Sequence, residues 1–68
     1  MISNDQELKV TLERIARFQA QVAHLRSTEP NPENYHAAAS GFLDEVDRMQ
    51  VEVREYLNHH PAEQTASA

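Results

Sequence analysis

Tyr35, Ala39, Phe42, Val46, Met49, Val53 and Tyr56 recur at spacings of 4, 3, 4, 3, 4 and 3. A helix with that repeat carries an apolar seam along one side and is built to lie against another helix. Leu43 and Leu57 widen the seam on one flank and Ala38 widens it on the other. Upstream, Leu8, Leu12, Ile15, Phe18, Val22 and Leu25 follow at spacings of 4, 3, 3, 4 and 3, which keeps them on one helical face, with Ala16 and Ala23 beside it. The pattern predicts an all-α fold of two amphipathic helices.

Punctuation sets the boundaries. Asn4 with Glu7, or Ser3 with Gln6, has capping-box spacing, and Asp5 and Glu7 suit the positive end of a helix dipole. The first helix is expected over about residues 4–27. Ser27-Thr28-Glu29-Pro30-Asn31-Pro32-Glu33 breaks it, because two prolines two residues apart cannot both continue a helix. Asn31-Pro32-Glu33 reads as N-cap, N1 and N2 of the next helix, expected over about 32–58 after a loop at 28–31. So short a connection makes the helices antiparallel neighbours, a coiled-coil-like hairpin over residues 1–60. Residues 61–68 hold no large apolar side chain and are expected to be a disordered tail.

A lone hairpin of this design leaves apolar surface uncovered. Phe18, Leu25, Leu43 and Leu57 flank the two seams and would stay partly wet. The common remedy is a symmetric dimer forming a four-helix bundle. Two polar residues, Gln19 and Arg26, share the heptad phase of Leu12; Gln19 reads either as a half-exposed edge or as a buried key to register. Gly41 weakens the second helix and lies beside Ala37 and Ser40, which is either tolerated weakness or a small-residue patch for a second contact. Val51 points away from the seam between charged neighbours. Whether Gly41, Ala37 and Val51 form a second contact surface is open at the level of sequence.

Composition narrows the function classes. A chain of 68 residues allows one domain with a thin core. It has no cysteine, so disulfides and thiolate metal sites are excluded, which fits a reducing cytoplasm. No apolar run approaches the roughly 18 residues of a membrane span, and Met1 to Asp5 lack the basic and apolar regions of a signal peptide. The expected location is cytoplasmic, without a membrane partner. A net charge of -5 argues against nucleic acid as a partner, since phosphate contacts need clustered lysine and arginine. The charge is uneven. Lys9, Arg14, Arg17 and Arg26 outnumber Asp5, Glu7 and Glu13 in the first helix, whereas the rest of the chain sets only Arg48 and Arg54 against eight acids.

No catalytic constellation emerges. His24 and His36 fall near the loop with Glu29 and Glu33, but without the spacing of a metal-ligand motif. His59 and His60 close the second helix, where partial positive charge suits the dipole. Asp44, Glu45, Asp47, Glu52 and Glu55 spread round the helix as a solvated face and do not form a di-iron pattern. The serines lack a nucleophile elbow. The expectation is a non-enzyme with no cofactor and no metal. The alternative is a small helical metal-binding protein or enzyme using the loop-end histidines and acids.

The opening Met1-Ile2-Ser3-Asn4-Asp5-Gln6-Glu7-Leu8 with Arg17-Phe18-Gln19, and the amphipathic stretch from Phe42-Leu43-Asp44-Glu45-Val46-Asp47-Arg48-Met49 to Arg54-Glu55-Tyr56-Leu57, resemble the N-terminal helical accessory segment of HigA-type bacterial antitoxins. In that family a DNA-binding helix-turn-helix follows the segment. These 68 residues contain none, so DNA binding is not carried over. The resemblance implies a bacterial cytoplasmic protein associated with a toxin–antitoxin operon. The combined expectation is an interaction or dimerisation module, antitoxin-like, working as a homodimer or with a protein partner such as a basic toxin; sequence alone does not separate homodimer from hetero-complex. Its core and interface residues are Leu8, Leu12, Ile15, Phe18, Val22, Leu25, Tyr35, Phe42, Leu43, Val46, Met49, Val53, Tyr56 and Leu57.

Overall fold

A computed structural model describes residues 1–66, which form three helices: α1 (Asp5–Thr28), α2 (Pro32–Leu57) and α3 (Pro61–Ala66). Capping chemistry fixes each start. Asn4 is the N-cap of α1, in extended backbone, and its Oδ1 accepts from the Glu7 N–H at 2.8 Å. The Glu7 carboxylate turns back to accept from the Ser3 N–H at 2.8 Å, so the Asn4–Glu7 option is the one realised.

At its other end, α1 stops because Pro30 disfavours helical backbone in the residue before it. Glu29 is extended, with φ -94° and ψ 110°. Its N–H still donates to the Leu25 carbonyl at 2.9 Å, while the Ser27 and Thr28 hydroxyls both donate to the His24 carbonyl. Asn31 then caps α2, accepting from the Glu33 and Asn34 N–H groups, and Pro32 occupies the first turn where its missing N–H costs nothing. The Glu29 carboxylate accepts from the Asn31 N–H at 3.1 Å and ties the turn to itself.

The turn reverses the chain, and α1 and α2 pack antiparallel. Tyr56 near the end of α2 donates its hydroxyl to Asp5 Oδ1 at 2.6 Å, and Phe18 meets Phe42 edge to face at 5.5 Å between ring centroids. The interior is one helix–helix seam. Ile15, Val46 and Met49 are buried at its centre with Phe18 and Val53 packed against them, and Val22 and Ala39 extend it toward the loop. The chain is a rod, 54 Å long and 16 by 12 Å across, its length made by the hairpin and α3 together. Its radius of gyration is 16.0 Å, against about 11 Å for a compact domain of this length. Such a shape has no centre remote from water, and among the described residues no large side chain is completely buried.

The tail at 61–68 was expected to be disordered; over the described residues it forms α3, and positions 67–68 lie outside them. His60 explains the change, because its imidazole Nδ1 accepts from the Ala62 N–H at 3.0 Å and its carbonyl from the Glu63 N–H at 3.0 Å. An imidazole does the work of the usual hydroxyl or carboxylate cap, with Pro61 at the first helical position. Ile2 has no place in either hydrophobic stripe. It is buried, 8% exposed, while Met1 beside it is bare. Met1 to Ser3 fold back along the open end of the hairpin, where the Met1 ammonium lies 3.4 Å from Glu52 Oε1.

Candidate interaction surface

The seam is a regular heptad on both helices. In α1, Leu8, Ile15 and Val22 hold the a positions and Thr11, Phe18 and Leu25 the d positions. In α2 the a positions are Ala39, Val46 and Val53, and the d positions Tyr35, Phe42, Met49 and Tyr56. Every one of these side chains is buried or half-buried. The assignment displaces Leu12, which was expected on the seam and is 47% exposed. Thr11 takes the seam position, its hydroxyl donating to the Glu7 carbonyl at 2.8 Å. The 4, 3, 3 spacing of Leu8, Leu12, Ile15 and Phe18 contained the signal, since a seam alternates 3 and 4 and only Thr11 restores that alternation.

Leu12 therefore belongs to the e row of α1, with Asp5, Gln19 and Arg26, all of them exposed. Gln19 is not a buried key to register. The matching e row of α2 is His36, Leu43, Gln50 and Leu57. Leu43 is 42% and Leu57 63% exposed, so these two interface residues also lie outside the buried seam. Because the helices run in opposite directions, the positions that follow the seam on each fall on the same side of the hairpin, and those that precede it fall on the other.

The two sides differ in chemistry. The g side, which precedes the seam, is charged along its middle and covered at its open end. Arg14 lies 5.9 Å from the centre of the Phe18 ring and lines one shallow hollow with Glu45, Arg48, Met49 and Glu52. Arg48 pairs with Glu45, three residues back. Ile2 and the Met1 ammonium close this side at the open end. Toward the loop, Phe18, Ala38, Gly41 and Phe42 border a hollow of about 280 Å³. The e side has no such cover. Between Asp5 and Arg26 its α1 row presents Leu12 and Gln19, and its α2 row presents Leu43, Gln50 and Leu57, without a formal charge among them.

The remaining candidate groups are dispersed. His24 and His36 are exposed at the loop end, and the His36 ring stacks edge-on to Tyr35 at 5.2 Å. Among the described residues, no three histidine, aspartate or glutamate side chains are grouped so as to hold a metal ion. Asp44, Asp47 and Glu55 are exposed on the outer face of α2, as is Val51. A β-carbon added at Gly41 would meet nothing within 4 Å, so no neighbour within the chain requires glycine there. The hydrogen bond to Asp5 holds the Tyr56 phenol above its ordinary pKa of 10.0, helped by desolvation and by the negative charges of Asp5 and Glu7. Among the described residues, no helix is long and apolar enough to cross a membrane.

No family model matches this chain, and no curated protein or solved structure matches it.

Proposed function

We propose that this chain is a small protein–protein interaction module of the bacterial cytoplasm that self-associates, two hairpins pairing into a four-helix bundle. The observation that supports this most is the exposure of Leu12, Leu43 and Leu57 along one uncharged flank of an otherwise satisfied seam. Apolar side chains at e positions beside an a/d seam suit contact with a second neighbour, and Leu12 on α1 and Leu43 and Leu57 on α2 hold such positions while each helix has one neighbour. The role is binding, with no catalytic step and no cofactor. The resemblance to antitoxin accessory segments adds a candidate hetero-partner, a basic protein such as a toxin, for which the acids on the outer face of α2 are the complementary surface. Thermal melts over a hundredfold range of protein concentration test the reading. Self-association raises Tm with concentration. A concentration-independent Tm, together with an empty pull-down from the host lysate, would remove it.

A further inference from the structure

Resting on the self-association just proposed, we infer that the occupant of the e side is a second copy of this chain, laid antiparallel so that α1 crosses on α1. Charge placement selects this arrangement. The α1 e row reads Asp5, Leu12, Gln19, Arg26, an acid at one end and a base at the other with uncharged residues between. Reversed upon itself, the row sets Asp5 of each copy against Arg26 of the other and lays Leu12 beside Gln19, twice over by symmetry. Asp5 is equipped for this, since Tyr56 occupies Oδ1 and leaves Oδ2. Reversal about the same point brings Leu43 of one copy to Gln50 of the other. Laid parallel instead, α1 would lie on α2 and Asp5 would face Leu57, a carboxylate against an aliphatic side chain.

The size of the face agrees. A helix of 24 residues is about 36 Å long, and two helices side by side are about 20 Å wide, which offers roughly 700 Å² per copy against about 800 Å² in a standard interface. The g side is charged and occupied by Met1 to Ser3 over its half away from the loop, which leaves a neighbour only the hollow bordered by Phe18, Ala38, Gly41, Phe42 and Glu45.

The absence of cysteine makes a direct test available. Leu12 and Gln19 are both exposed and lie seven residues apart on one helix, roughly 10 Å, beyond disulfide reach within a copy. In the full chain carrying Leu12→Cys and Gln19→Cys together, which keeps Asp5 and Arg26, mild oxidation should yield covalent dimers in high yield, and either single variant should yield few. Leu43→Glu, a change at an exposed position, should weaken self-association at least tenfold while leaving the helical circular dichroism of the dilute chain unchanged. A dimeric wild type whose double-cysteine variant does not cross-link, or cross-links no better than the single variants, would overturn the antiparallel face and leave self-association standing. A wild type that stays monomeric at millimolar concentration would overturn both.

Discussion

Ile15 and Leu12 are three residues apart, both aliphatic and both on α1, yet one is 8% and the other 47% exposed. That difference sets their energetics. Ile15→Ala should lower stability by about 2–5 kcal/mol, because it empties a packed site between Val46 and Met49. This is a large share of the roughly 3–10 kcal/mol available to a chain of this length. His36→Ala should change stability by less than about 0.5 kcal/mol, since the ring is exposed. Chemical denaturation ranks the two directly, and the opposite ranking would break the seam assignment. Gly41→Ala should stabilise by about 0.5–1 kcal/mol, because nothing within the chain fills the space and helical backbone favours alanine. No gain, or a loss, in the same measurement would mean that another chain approaches there.

Tyr56 supplies the pH dependence at this scale. The folded phenol is held above its ordinary pKa of 10.0, so the fold favours the protonated form. Its contribution is therefore complete below about pH 10 and is lost as pH rises through the raised value. Helicity followed from pH 9 to 12 should fall along a limb that flattens in Tyr56→Phe. An unchanged limb would mean that the Asp5 hydrogen bond does not matter to stability.

At the scale of elements, most of the architecture was legible because the boundaries rest on local chemistry. Asn4, Asn31 and Pro32 declare helix starts through groups they bond or lack, whatever the partner helix does. Asn31→Ala should cost about 0.5–2 kcal/mol by leaving the Glu33 and Asn34 N–H groups without their acceptor. A thermal melt measures that loss, and an unchanged midpoint would show the turn to be held by Glu29 and the prolines alone. What sequence reading missed lay outside the local rules. The His60 cap uses a side chain that is not a customary N-cap. Ile2 is buried although it lies in a segment that precedes any helix, so no periodicity points to it. Leu12 was misplaced because counting apolar residues outweighed the alternation of spacings, which a threonine can keep as well as a leucine.

For the whole molecule, the decisive quantity is how little of it is enclosed. A rod-shaped chain 54 Å long buries one seam and leaves the leucines of its e side open, while arginine, glutamate and the N-terminal residues dress the opposite flank over its half away from the loop. The candidate surface was partly legible: of the four residues expected to flank the seams, Leu43 and Leu57 are exposed whereas Phe18 and Leu25 hold half-buried seam positions, and the membership of Leu12 required the seam to be fixed in three dimensions. The asymmetry between the flanks is a property of the pair of helices and of neither alone.

The central claim is that this hairpin functions as an associating unit, and its solution mass tests it most directly. Light scattering across a dilution series should give twice the chain mass of 7.8 kDa at high concentration, falling toward 7.8 kDa only at the dilute end. A mass of 7.8 kDa at every concentration, from a chain that remains helical, would contradict it.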